Sequence, residues 1–504
     1  MSNPLLSEAP LPEFPAITPA HVEPAIRGLL DANRRTLAAL LKGGAAGWDG
    51  LVAPIERMHH RLSRAWSPVG HLNGVMNNDE LRAAYNACLP LLTAYHTELA
   101  QNARLCAAYQ RVMDTEGDSL EPGKRKLIEN ALRDFRLAGV SLPADRKRRF
   151  GEVMERLATT QAKFDENVLD ATNAWSRHVT DAAELDGLPE TTLARARQAA
   201  ADTEREGWLL PLDAPNYQAV MTHATNEALR REFYEAWVTR ASDQGPHAGQ
   251  WDNSPLIAEI LALRHEAAAL VGFDNFAEYS LATKMAHETG EVLAFLRELA
   301  RVSRPFAERE FAALESFAGR PLQSWDVAFH SERMKRERLD VSEEALRPYF
   351  PLPRVLAGLF TVVSRLYGVR IVGRTDVAVY HPDVRYFEIV ERDGTPRGGF
   401  FLDPYARAKK RGGAWMDECV GRMRLGGPES LPVAYLVCNF TPPVGDRPSL
   451  LTHNDVLTLF HEFGHGLHHM LTRVDYPGVA GINGVPWDAV ELPSQFMENF
   501  AWRD

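Results

Sequence analysis

The sequence predicts a mainly α-helical fold with a small β-sheet in its later part. Residues 19–284 are rich in Ala, Leu, Arg and Glu, and apolar residues recur there at helical spacing, as in Leu127, Ala131 and Phe135. Three β-rich runs follow, at residues 384–390, 399–402 and 433–440. A small sheet is therefore expected just before the histidine-rich segment discussed below.

The length of the chain predicts more than one packed lobe. A single hydrophobic core rarely serves as many as 504 residues. The stretch Leu-Pro-Leu-Asp-Ala-Pro at residues 210–215 is typical of a loop. We place a boundary there, between an N-terminal helical region of residues 1–212 and a second region of residues 213–504.

Composition excludes several classes of partner. The net charge of -11 disfavours binding to nucleic-acid phosphates, and short basic runs such as residues 146–149 are typical of a solvated surface. No apolar run is long enough to cross a membrane, and the first residues lack a signal-peptide pattern. The four cysteines form no CxxC pair. These features predict a cytoplasmic protein that binds neither nucleic acid nor membrane.

A zinc-binding motif lies on a predicted helix near the end of the sequence. Thr452 and Asp455 form a capping-box pattern that opens this helix, which should continue to about residue 471. His461 and His465 are four residues apart, so both imidazoles project from one face and can hold a single Zn²⁺. Glu462 lies beside them, where it can act as the general base toward a water molecule.

The third metal ligand must come from elsewhere, because a catalytic zinc site uses three protein ligands and one open position. Glu491 is the candidate, 26 positions beyond His465, and the Gly-rich stretch of residues 478–484 could turn the chain back toward the first helix. Taken alone, Glu491 would be interpreted as a surface carboxylate. Together with His461 and His465 it completes the ligand set for one zinc per chain.

Neighbouring residues carry weaker signals. Asp488 and Glu498 could each orient a ligand imidazole, although helix capping or solvent exposure explains each equally well. His468 and His469 are interpreted as packing or surface residues. We therefore leave both histidines out of the ligand set. Phe496 and Phe500, one helical turn apart, are most simply interpreted as core residues.

Longer motifs resemble the thimet oligopeptidase and neurolysin family of zinc peptidases. The similar segments are His-Glu-Phe-Gly-His-Gly-Leu-His-His from position 461, Val-Pro-Trp-Asp-Ala-Val-Glu-Leu-Pro-Ser-Gln from position 485, and Arg-Gly-Gly-Ala-Trp-Met-Asp from position 411. The resemblance extends over essentially the entire chain. It implies two helical lobes flanking a deep substrate channel, with residues 213–504 as the peptidase catalytic region. It also implies an endopeptidase acting on short peptides, with ligands His461, His465 and Glu491 and base Glu462.

The sequence differs from that family after the third ligand. Family members continue for a long further stretch, which contains a histidine and several tyrosines that bind substrate and stabilise the oxyanion. No tyrosine follows Glu491 here. We therefore expect a missing C-terminal segment or a complementing chain, and very weak hydrolysis by residues 1–504 alone. The alternatives are a truncated zinc-binding protein with little or no catalytic activity, and an exopeptidase with the same zinc chemistry.

Overall fold

A computed structural model of the chain describes residues 3–426 and 429–503. The last residue of the predicted catalytic region, Asp504, lies outside the described residues. Seventeen α-helices occur in the described part of the chain: α1 Pro19–Lys42, α2 Ala53–Val75, α3 Asp79–Ala100, α4 Ala103–Glu116, α5 Pro122–Leu137, α6 Ala144–Ala174, α7 Glu190–Asp202, α8 Ala214–His223, α9 Glu227–Val238, α10 Ser254–Leu270, α11 Phe276–Leu281, α12 Thr289–Ala318, α13 Val327–Leu339, α14 Glu343–Leu346, α15 Leu352–Tyr367, α16 His453–Met470 and α17 Leu492–Glu498.

The described strands form two sheets. They are β1 Ser176–Val179, β2 Trp208–Pro211, β3 Arg370–Arg374, β4 Arg385–Val390, β5 Pro396–Tyr405, β6 Trp415–Val420 and β7 Val433–Phe440. β1 and β2 pair as an antiparallel two-stranded sheet, and the others form a five-stranded sheet in the order β3-β4-β5-β7-β6. Only the central β5 and β7 pair in parallel within this sheet. The predicted mainly helical fold with a small sheet is confirmed.

Both faces of the central strands are covered, which explains their continuous apolar sequences. Phe400 of β5 packs under α16, where its ring lies edge-on to Phe463 at a centroid distance of 5.2 Å. Phe401, the next residue, faces the opposite side and belongs to the core built with α1 and α2. On that side the ring of Tyr435 stacks on His71 of α2 at 3.6 Å. The sheet therefore separates the zinc-motif helix from the N-terminal helices.

The structure corrects the sequence prediction in both sheets. The strand predicted at residues 399–402 is longer, Pro396–Tyr405, and the strands β3 and β6 were missed. The first region is also not purely helical, because it contains β1 and β2. Leu210 and Pro211, assigned to a loop, are the last residues of β2. The predicted channel between two lobes and the boundary at residue 212 stay predictions.

No helix among residues 3–426 and 429–503 is long and apolar enough to cross a membrane.

Candidate metal centre

The histidine helix begins as its sequence predicts. The Thr452 hydroxyl accepts a hydrogen bond from the Asp455 N–H at 3.0 Å, and the Asp455 carboxylate accepts one from the Thr452 N–H at 2.9 Å. This capping box fixes the start of α16 and so fixes which residues face the sheet. Phe463 and Leu467 are buried against the sheet. The other side of α16 carries the two predicted histidine ligands.

Three side chains converge where the sequence places a metal. His461 Nε2 lies 3.1 Å from Glu491 Oε2, and His465 Nε2 lies 3.2 Å from the same oxygen. One donor atom from each residue lies within 4.8 Å of the others. Zinc bonds of about 2.0–2.1 Å in a tetrahedron place neighbouring ligand atoms roughly 3.3 Å apart. Two imidazole nitrogens and one carboxylate oxygen at these separations therefore fit zinc in both chemistry and spacing.

Glu491 reaches this position because the chain folds back against α16. After α16 the chain turns through Gly481 and Gly484, both at positive φ, and Glu491 then occupies the position just before α17. The Ser494 hydroxyl lies 2.8 Å from the Glu491 backbone oxygen and 2.9 Å from Oε2, so it helps to hold the carboxylate. The predicted turn in residues 478–484 and the following helix are both present.

The helices α16 and α17 pack closely against each other at this site. A Cβ atom on Gly464 would lie 2.5 Å from the Pro493 backbone oxygen, closer than real contacts allow. The glycine between the two histidines thus lets α17 approach α16 at backbone distance. Pro493 lies in the first turn of α17, where the missing N–H costs no hydrogen bond. Sequence reasoning missed Ser494 and the role of Gly464.

The two acidic neighbours of Glu491 have different roles. The Glu498 carboxylate accepts a hydrogen bond from His461 Nδ1 at 2.7 Å, which leaves the Nε2 lone pair directed at the cluster. Asp488 contacts neither imidazole. Its carboxylate accepts hydrogen bonds from the backbone N–H groups of Met285 and Ala286 at 2.9–3.0 Å, and these lower its pKa. Asp488 therefore ties the segment before Glu491 to the loop between α11 and α12.

Glu462 lies buried beside the cluster, close enough for the charges of His461 and Glu491 to act on it. Only 6% of its surface is exposed. Burial raises the pKa of Glu462 to about 7, and the negative charge of Glu491 acts in the same direction, whereas His461 opposes it. Burial also lowers the pKa of His465, which favours the neutral imidazole that a metal requires.

The remaining candidates lie outside the cluster. His469 is fully buried, and its Nε2 pairs with the Val420 backbone oxygen at 3.1 Å, so it acts in packing as expected. Phe500 packs against the core beneath α16. The prediction for Phe496 is wrong, because this side chain is 48% exposed.

Fold and site together define a class of protein. A His-Glu-x-x-His helix joined by a carboxylate from a following helix is typical of zinc-dependent peptidases. Comparison with known families agrees: residues 220–504 match "Peptidase family M3", and residues 26–147 match "Neurolysin/Thimet oligopeptidase, N-terminal domain". The chain belongs to peptidase family M3.

Individual relatives support this assignment. Oligopeptidase A of Salmonella typhimurium is 51% identical over 512 residues, which cover 100% of this chain and 75% of that protein. Oligopeptidase A of Escherichia coli shares the same identity and coverage. Dipeptidyl carboxypeptidase of Escherichia coli is 32% identical, covering 99% of this chain and 74% of its own length. The fold is also similar to PZ peptidase A solved with an inhibitor, with a TM-score of 0.55, 15% identity, and coverage of 95% of this chain and 68% of that one.

Proposed function

We propose that this chain is a zinc-dependent endopeptidase, an oligopeptidase that hydrolyses internal bonds of short unstructured peptides. The convergence of His461, His465 and Glu491 beside the buried carboxylate of Glu462 is the observation that carries the proposal. These three residues would hold one Zn²⁺ and leave a position open to water. Family membership and the 51% identity to oligopeptidase A support the peptide substrate class.

Each residue around the proposed zinc site has its own role in peptide hydrolysis. When bound, zinc polarises the scissile carbonyl and lowers the pKa of a water molecule toward about 7. Glu462 takes the proton of the attacking water and then delivers it to the departing amine, so no covalent intermediate with the protein is needed. Glu498 fixes the tautomer and orientation of His461. Ser494 restrains the Glu491 carboxylate.

Two alternatives remain in the proposal. The name of one relative, dipeptidyl carboxypeptidase, favours an exopeptidase that removes dipeptides from a free C-terminus. A zinc-binding protein without turnover is the other. Relatives are named for different compartments, "Probable cytosolic" and "chloroplastic/mitochondrial", so we keep the cytoplasmic location as a prediction of this sequence.

One substrate pair separates these functions. An internally quenched peptide blocked at both ends should be cut by an endopeptidase, and the Glu462→Gln variant should not cut it although it keeps its zinc. Cleavage restricted to a matched peptide with a free C-terminus would identify the exopeptidase. Zinc binding by metal analysis without cleavage of either peptide would identify the non-catalytic alternative and overturn the proposal.

A further inference from the structure

A cavity lies on the face of the five-stranded sheet opposite α16. Its volume is about 670 Å³, within the range of small-molecule sites. Its lining comes from the N-terminal segment of residues 5–8 and 10–11, from α2, and from the strands β3, β4, β5 and β7. Tyr386 and Val433 of its wall belong to the core on the α2 side, whereas their neighbours Phe387 and Ala434 belong to the core beneath α16. The sheet therefore separates this cavity from the candidate metal centre.

One wall of the cavity is a row of three arginines on α2. Arg57, Arg61 and Arg64 are spaced by four and three residues, so they lie on one face of the helix. Arg57 donates to the Leu425 backbone oxygen at 2.7 Å, and Arg64 donates to the backbone oxygen of Ala9. Within the described part of the chain, none of the three forms an ion pair with a carboxylate. Like charges at this spacing repel each other, so an anion placed among them would be stabilised.

Most other charges around the cavity are already neutralised. Arg374 pairs with Glu388 at 3.0 Å, and Glu429 pairs with Arg424 at 3.0 Å. Glu8, which is exposed on the N-terminal segment and lines the cavity, is one negative charge that acts on Arg64 without forming an ion pair with it. The excess charge of the cavity is therefore positive and comes from the α2 face.

A neutral hydrogen-bonded pair lies among the arginines. The Ser430 hydroxyl donates to the Gly421 backbone oxygen at 2.8 Å, so His60 Nε2 must donate to that hydroxyl at 3.0 Å. Burial, together with the nearby charge of Arg64, lowers the pKa of His60 to about 4, although Glu56 opposes this shift. His60 is thus uncharged near neutral pH and does not compete with the arginines for an anion.

Part of the cavity wall is apolar. Leu6 and Leu431 line it and remain 37% and 40% exposed, although both side chains are large and hydrophobic. Val377 adds to the same wall. A ligand that satisfied this surface would need an apolar body as well as an anionic group.

We propose that this arginine cavity, defined by Arg57, Arg61 and Arg64 with Leu6 and Leu431, binds a ligand that joins a carboxylate to an apolar group. The carboxylate pairs with the guanidinium row, and the apolar group covers the two leucines. A peptide with a free C-terminal apolar residue and an aliphatic carboxylic acid share this chemistry. The site is independent of the proposed zinc chemistry on the other face of the sheet.

Binding of defined probes tests the proposal. The probes are N-acetyl-Leu-Leu with a free carboxylate, its C-terminal amide, and octanoate, each titrated calorimetrically into the 504-residue chain with and without zinc. We expect saturable binding of at least one carboxylate, unchanged when zinc is removed. Charge-assisted hydrogen bonds predict a loss of about tenfold or more for the amide and for Arg61→Ala. Arg61 is exposed, so its replacement should leave the unfolding temperature unchanged.

Controls make each outcome decisive. Arg111 of α4 is likewise an exposed helical arginine outside any ion pair in the described residues, and Arg111→Ala should bind the probes normally. Arg61→Glu should abolish binding. Comparing the affinities for N-acetyl-Leu-Leu and octanoate shows whether the cavity prefers a peptide C-terminus or an aliphatic acid. Absence of binding by either carboxylate, equal binding of the amide, loss of binding on zinc removal, or equal effects of Arg61→Ala and Arg111→Ala would each overturn the proposal.

Discussion

The hydrogen bond between His461 and Glu498 should control how tightly the site holds zinc. Its length of 2.7 Å is that of a charge-assisted bond, and replacing Glu498 with Ala removes the only acidic partner of the Nδ1 atom in the described structure. Loss of such a partner typically weakens metal affinity by tenfold to a hundredfold, about 1.4 to 2.7 kcal/mol. The Glu498 side chain is 36% exposed, so water screens the interaction. We therefore expect the lower end, about a tenfold increase in the zinc Kd.

Competition with a chromophoric chelator measures this effect directly. Glu498→Gln should cost less than Glu498→Ala, because the amide oxygen still accepts the hydrogen bond without the charge. Glu310→Ala, which changes an exposed glutamate on α12, is the matched control and should leave the Kd unchanged. A zinc Kd in Glu498→Ala equal to that of the unmodified chain would refute the reasoning, provided that circular dichroism shows both proteins folded.

Three further results are expected. In a chain restored to the length of its family, Glu462→Gln should keep its zinc by metal analysis but lose about a hundredfold or more in turnover, since the amide has no basicity; near-normal rates would place the base elsewhere. Gly464→Ala should lower both the unfolding temperature and zinc retention, because its Cβ would lie 2.5 Å from the Pro493 oxygen. The control is Gly290→Ala, whose added Cβ would have no atom within 4 Å and should change neither quantity. His71 has its pKa lowered to about 3 by burial, so the unfolded imidazole binds a proton more tightly and stability falls as the pH drops below about 6.5. At pH 5 the loss in free energy of unfolding is roughly 2 kcal/mol. His71→Phe should therefore shrink, by about that amount, the difference in the free energy of urea unfolding between pH 7.5 and pH 5. An unchanged difference would contradict this assignment.

Local periodicity was sufficient to predict the helical half of the site. The four-residue spacing of His461 and His465 and the capping box at Thr452 depend only on helix geometry, so their placement follows from sequence. β7 was also predictable, because a central strand buried on both faces reads as a continuous apolar run. The edge strands β3 and β6 lack that signal, since their residues are mostly partly or fully exposed.

The roles of the carboxylates could not be predicted in the same way. Asp488 and Glu498 are equally acidic and similarly close to Glu491 in sequence, but Asp488 precedes α17 and Glu498 ends it. Their orientation therefore depends on how α17 packs against α16, which no single-sequence period encodes. The contact at Gly464 that decides this packing is visible only once both helices are placed.

Zinc binding and the packing of α17 against α16 should therefore be thermodynamically coupled. Two of the proposed ligands lie on α16, but the third, Glu491, lies at the start of a seven-residue helix that would be marginally stable alone. Glu491 is 52% exposed at its side chain, so its burial contributes little to holding α17 in place. A metal that bridges α16 and Glu491 stabilises the docked arrangement by the free energy of its binding to that arrangement. Any change that loosens α17, including one at Gly464, which packs against Pro493, should weaken zinc binding to the extent that it lowers the fraction of molecules in which α17 is docked.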